Sequence, residues 1–281
     1  MSGGAEVWNV LVLETAFCTI ATVRRSVARS PATFHCMADR RLLMACACGG
    51  LILLFAFFRS SPAATQPTIN KKLVTVSTPL GEMQCTSIGP EDAPHLAVAI
   101  HGMSPGLVME WEGVAMAIAA QPGWRVLLPN FHTLPKKLRD LTHAEFSSIA
   151  LELIRLQGRA KADLWLGKSW GGEMSANFAA EHPANVAKLV LDAPVVQPSA
   201  IPSLCASGRL KGMPLLLLWA EDDQVSDASA AETWKSSCSP LAHVFTTKQG
   251  GHRILTDAYT APILGLMAAR LGMGAARSLY V

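Results

Sequence analysis

Ser169 lies in Gly167-Lys168-Ser169-Trp170-Gly171, which fits the pattern G-x-S-x-G. A chain that passes from a strand straight into a helix, with serine at the apex, holds that serine in a strained conformation. Side chains two positions either side would collide, so both must be nearly bare. The hydroxyl then stands above the sheet at the start of a helix. An alcohol is a poor nucleophile at neutral pH and needs a base. His252 follows Gly250-Gly251 in a loop after a strand-like run, where the backbone can carry an imidazole over a serine. His35, His95, His132, His143, His182 and His243 lack that context. The base needs an acid to fix its tautomer and stabilise the imidazolium. Asp223, four residues past Trp219 at the carboxyl end of a strand-like run, is placed for it. Its neighbour Asp222 is a close rival, and Asp192, ending the preceding run, a more distant one. This chemistry is acyl transfer through a serine, and its oxyanion needs prearranged donors. The Trp170 N–H, directly after the nucleophile, is one.

These groups need elements to hold them. From Lys72 onward, short apolar runs alternate with helical stretches. Strands are predicted at Lys72–Val76, Met83–Ile88, His95–Ile100, Arg125–Leu128, Ala162–Leu166, Ala187–Leu191, Pro214–Trp219 and His243–Thr247. Continuous apolar runs such as LAVAI and LLLLW suit a parallel sheet covered on both faces. Helices are predicted at Val108–Ala120, His143–Leu156, Gly171–His182, Ala228–Ser236 and Arg253–Ala269, with Thr142 and Glu145 as a capping box. The alternation implies βα units with right-handed crossovers. Ala162–Leu166 leads into the serine and Gly171–His182 leads out of it, the context G-x-S-x-G requires.

Four segments together resemble the α/β-hydrolase superfamily over about residues 72–275. GKSWGGEMSANFAAEHPANVAKLVLDAP is similar to its nucleophile turn, helix and next strand. LLLLWAEDDQVSD is similar to its acid strand and loop, QGGHRIL to its histidine loop, and AVAIHGMSP to its oxyanion strand and His-Gly turn. The segments and the order Ser…Asp…His both follow the family. The resemblance implies a mostly parallel eight-stranded sheet with helices on both faces. It selects Asp223 by the family's Gly-x-x-Asp position, although Ala220 replaces the glycine. It makes Met103 the second oxyanion donor and His101 a positioning residue. Lys168 takes the variable place in the turn, and Asn130 stands where the family often has aspartate. Lids of the family are usually inserted between the strands that here end at Asp192 and begin at Pro214. About twenty residues lie there, too few for a lid domain. The mouth is then edged by Met103, Trp170, Val195 and Val196. An apolar rim of this kind favours an acyl ester or thioester substrate. An acyltransferase on the same triad and a non-catalytic binding protein of the same fold are the alternatives.

Half of the 281 residues are apolar and 16% are charged, enough for one buried core and unlike a disordered chain. The net charge of +3 is uneven. Residues 1–71 carry seven Lys/Arg against three Asp/Glu, and residues 72–281 seventeen against eighteen. The folded part is therefore almost neutral, without the basic footprint of a nucleic-acid binder. No phosphate loop, dinucleotide fingerprint or metal cluster is present, and no cofactor is implied. Of the seven cysteines, Cys85, Cys205 and Cys238 follow residue 60 and leave room for one disulfide. Trp111, Trp124 and Trp165 read as core.

Residues 1–41 form an N-terminal extension, in which Arg24, Arg25 and Arg29 faintly resemble a transit peptide. Leu42–Phe58 is a run of 17 residues without a charge, preceded by Arg40 and Arg41 and followed by Arg59. It reads as a hydrophobic transmembrane helix or signal anchor, with residues 59–71 as linker. Beginning at Met37, the stretch also has the form of a cleaved signal peptide. The charge bias predicts a single-pass membrane protein with its catalytic domain lumenal or extracellular.

Overall fold

The computed structural model describes residues 69–206, 210–238, 241–255 and 257–273, all within the unit Gln66–Val281. The predicted N-terminal extension, hydrophobic helix and most of the linker lie outside the described residues.

Apolar side chains alternate between two core layers along each inner strand, and this alternation makes the sheet. Leu96, Val98 and Ile100 of β3 (His95–Ile100) join one layer while Ala97 and Ala99 join the other. In β7 (Leu215–Ala220), Leu215, Leu217 and Trp219 oppose Leu216, Leu218 and Ala220 in the same way. Both faces must be covered, and helices cover both. Helices α2 (His143–Leu156), α3 (Trp170–Glu181), α4 (Ile201–Ala206) and α5 (Ala230–Cys238) supply Phe146, Phe178, Ile201 and Trp234 to the first layer. Helices α1 (Glu112–Ala119) and α6 (Asp257–Leu271) supply Val114, Ile118, Ile263 and Met267 to the second. Trp111, Trp124 and Trp165 are buried, as the sequence predicts.

The eight strands run in the order β1-β2-β4-β3-β5-β6-β7-β8. The hairpin β1 (Lys71–Thr78) and β2 (Gly81–Ile88) adds antiparallel to β4 (Trp124–Asn130). From β4 onward all pairs are parallel, through β5 (Leu164–Lys168), β6 (Leu189–Asp192) and β8 (Ala242–Thr247). Parallel strands in register bring their carboxyl ends to one edge, where Lys168 pairs with Asp192. The capping box at α2 forms in both directions, Thr142 accepting from the Glu145 N–H and Glu145 from the Thr142 N–H. A disulfide joins Cys205 of α4 to Cys238 of α5, and Cys85 is a buried thiol.

One expectation is corrected. No described helix is long and apolar enough to cross a membrane. The longest, α6, has 15 residues with Pro262 inside it. At 1.5 Å per residue it spans about 22 Å, against the ~30 Å of a bilayer's hydrocarbon. The run Leu42–Phe58, on which the membrane contact was based, is outside the described residues. The single-pass membrane protein with a lumenal or extracellular domain is set aside.

Candidate active site

Ser169 sits between the last residue of β5 and the first of α3, with φ 53° and ψ −118°. Such a positive φ is strained for any residue with a Cβ. The glycines show why the turn tolerates nothing larger. A Cβ on Gly167 would come within 2.4 Å of Ser175 Oγ and 2.5 Å of the Gly171 carbonyl oxygen, and one on Gly171 within 2.4 Å of the His101 carbonyl oxygen.

The loop after β8 carries His252 to the serine. His252 Nε2 lies 2.8 Å from Ser169 Oγ, and Nδ1 lies 2.8 Å from Asp223 Oδ2. A carboxylate only accepts, so Nδ1–H donates to Asp223 and Nε2 is left to accept the serine proton. Asp223 is buried, and its other oxygen accepts from the Val225 and Ser226 N–H groups at 2.7 and 3.0 Å. Asp222 faces elsewhere. Its Oδ1 accepts from the Gly251 N–H at 2.7 Å and its Oδ2 from the Gly250 N–H at 3.4 Å, which braces the histidine loop.

Trp170 opens α3, where the helix leaves its first N–H groups unpaired. Met103, in the loop after β3, is exposed. His101 is wholly buried. Its Nε2 accepts from the Phe131 N–H at 3.1 Å, so Nδ1 carries the proton, 2.6 Å from the Gly102 carbonyl oxygen, and burial pushes its pKa down to about 4. The ring stacks on His132 at 5.0 Å and stays a neutral support for the Gly102-Met103 turn. Val195 is at the surface, its N–H 3.2 Å from the Ser169 carbonyl oxygen, whereas Val196 turns into the core. His95, His143 and His182 are away from this cluster: His95 pairs with Asp163, His143 with Glu173, and His182 packs on Phe178.

A family model described as the alpha/beta hydrolase fold matches residues 98–216, from within β3 to within β7. Naproxen esterase (carboxylesterase NP) from Bacillus subtilis superposes with a TM-score of 0.56 at 15% identity, over 77% of this chain and 97% of that one. Carboxylesterase CesB from the same organism gives 0.55 at 17%, over 78% and 98%, and dienelactone hydrolase from Anabaena variabilis 0.57 at 18%, over 73% and 97%. The chain has the alpha/beta hydrolase fold. A sequence comparison with curated proteins finds no match. The family match ends before Asp223 and His252, which the fold brings to Ser169.

Three features of the site have no counterpart in the sequence analysis. Lys168, read there as the variable residue of the turn, is completely buried. Its Nζ donates to Asp192 Oδ2 at 2.7 Å and to the His252 carbonyl oxygen at 2.6 Å. A cation ending an apolar central strand was the available signal, because such a charge has to be paired. Glu110 is half-buried beside Gly102, its Oε2 without a hydrogen-bond partner among the described residues, and burial pushes its pKa up to about 7. Third, a groove of about 310 Å³ beginning at Met103 is lined by Pro105, His132, Leu134, Lys137 and Arg139 among others. Of the rim residues read from the sequence, Met103 alone lines this groove, to which the turns after β4 add Lys137 and Arg139.

Proposed function

We propose that the chain is a serine hydrolase that cleaves a carboxylic ester or thioester by way of an acyl-enzyme. Ser169 is the nucleophile, His252 the base and Asp223 the acid. The N–H groups of Trp170 and Met103 receive the oxyanion, and Val195 helps wall the mouth. The observation that carries this reading is the hydrogen-bonded chain from Ser169 Oγ through the His252 ring to Asp223, 2.8 Å at each step. It begins at a serine held at positive φ on a strand–helix turn. The carboxylesterases among the similar structures agree with the ester substrate.

In the first step Ser169 Oγ bonds to the substrate carbonyl carbon as its proton passes to His252 Nε2. The carbonyl π electrons move onto oxygen, where backbone donors are worth most in a water-poor site. Asp223 stabilises the imidazolium without taking its proton. The tetrahedral centre collapses, the bond to the alcohol or thiol breaks, and His252 protonates the leaving group. Water then gives a proton to His252 as its oxygen bonds to the acyl carbon; the bond from that carbon to Ser169 Oγ breaks, His252 returns the proton to Oγ, and the acid is released. The groove beside Met103 receives one arm of the ester.

The test uses the full-length protein with a fluorophosphonate probe and a short-chain aryl ester. The wild type is labelled on Ser169 and turns the ester over. Ser169→Ala loses both while keeping its melting temperature within a few degrees. Labelling that survives in that variant would remove Ser169 from the reaction.

A further inference from the structure

Beneath the nucleophile lies a second charge cluster with no part in the bond-making steps. Lys168 ends β5 and Asp192 ends β6, opposite each other in register. Their side chains are 1% and 0% exposed. The ammonium spans two partners, Asp192 Oδ2 and the main-chain carbonyl of His252, 84 positions along the chain. We propose that Lys168 and Asp192 are a positioning pair: the lysine anchors the histidine loop by its carbonyl and occupies the neighbouring carboxylate, so that the His252 ring is directed to Asp223. The inference rests on the serine-hydrolase reading.

Energetics argue against a purely structural purpose. A buried ion pair is commonly no more stabilising than apolar side chains of the same volume, because desolvation offsets the attraction. Met and Leu would fill this buried place as well. They cannot donate to the His252 carbonyl. That bond has value where it is, because the loop contains Gly250 and Gly251, both at positive φ, and has little intrinsic stiffness. It is held at three points: by Asp222 on the two glycine N–H groups, by Lys168 on the His252 carbonyl, and by Asp223 on the ring.

The carboxylate of Asp192 explains the second half. It ends the strand beside the nucleophile's strand, and its charge interacts with both His252 and Asp223. Burial pushes its pKa up and Lys168 pulls it back, and the hydrogen bond from Lys168 occupies one of its oxygens. Its Oδ1 has no hydrogen-bond partner among the described residues. Without the ammonium, that carboxylate becomes a second acceptor near the imidazole. The other charged groups facing the cluster are Glu110, before α1, and Arg253, next to the histidine.

The experiment compares Lys168→Met, and the apolar pair Lys168→Met/Asp192→Leu, with wild type in the full-length protein. It measures melting temperature, kcat and KM on an aryl ester across pH, and the low-field proton resonance of the His252 Nδ1–H. The double variant folds with a melting temperature near wild type. Its KM stays within about threefold and kcat falls about 10²-fold, the effect of a small misplacement of a reacting group. In Lys168→Met the acid limb of the kcat/KM profile moves to higher pH, because a nearby cation is lost and an anion uncovered, and both favour the imidazolium. Replacing Asp192 in that background reverses the anion's part. If the single variant does not fold, the double variant carries the test alone. A folded double variant with wild-type kcat overturns the proposal. So does a double variant that does not fold, since the pair would then serve the core. Should wild type itself take no fluorophosphonate, the hydrolase reading fails separately, and the loss of the Nδ1–H resonance in the double variant still decides the positioning claim.

Discussion

Asp223 and Asp192 are both buried carboxylates at the carboxyl edge of the sheet, and both are within electrostatic range of His252. The geometry gives them opposite surroundings. Asp223 takes two backbone N–H groups on one oxygen and the imidazole on the other. Asp192 takes an ammonium on one oxygen and has no partner among the described residues on the other. The backbone donors hold Asp223 rigidly in one rotamer and leave one lone-pair direction for the ring. The ammonium holds Asp192 by one oxygen, and its other oxygen makes no bond to the ring. In the proposed triad, the aspartate that serves His252 is thus the one whose other partners orient it to the ring.

Exchange of the acids gives the largest effect. Asp223→Asn lowers kcat by about 10⁴-fold with KM little changed, since the wrong histidine tautomer is then stabilised. Asp222→Asn stays within about tenfold, and steady-state kinetics on one ester separate the two. If Asp192→Asn proves more damaging than Asp223→Asn, the comparison is reversed. The next contrast is between histidines. His101 is buried and neutral, with a pKa near 4 where an exposed imidazole has 6.5. A depressed histidine costs nothing above the unfolded value. Below it the unfolded chain binds a proton that the fold refuses, until the fold also accepts it. The wild type therefore loses about 3 kcal/mol through this group as pH falls from 6.5 to 4. Urea unfolding of wild type against His101→Gln, at pH 7 and at pH 4, measures the difference. Glu110 gives the smallest effect, of opposite sign. Its carboxyl titrates near 7 in the fold and at the ordinary 4.5 when unfolded. Its cost is absent below the unfolded value, grows as pH rises, and is complete above 7. Glu110→Gln consequently raises the melting temperature at pH 8 and leaves it unchanged at pH 4.

Much of this arrangement was legible as pattern. Ser169 could be read because its constraints are local: two bare positions, a strand before and a helix after. His252 was found through two glycines and its place after a strand. Where the reading missed, the cause lay in partners distant along the chain. The apolar run predicts the fifth strand at Ala162–Leu166, but it runs Leu164–Lys168, since Ala162 makes only an isolated bridge to Val186 while Gly167 and Lys168 pair with β6. Lys168 therefore passed for a turn residue, its pairing with Asp192 being a fact of register. Helix α4, six residues long, is too short to show a period. The last helix begins at Asp257, later than Arg253, because the histidine loop continues past the ring. The position of β3 between β4 and β5 is a matter of crossovers, to which apolar runs are blind.

The bond between Cys205 and Cys238 closes a ring of main chain with a sequence separation of 33, and β7 and Asp223 lie on that ring. A single protease cut anywhere along it leaves one covalent object. The acid remains tethered on both sides of the break, and the halves part on a gel only after a thiol is added. The segment that carries Asp223 can thus be severed without being released.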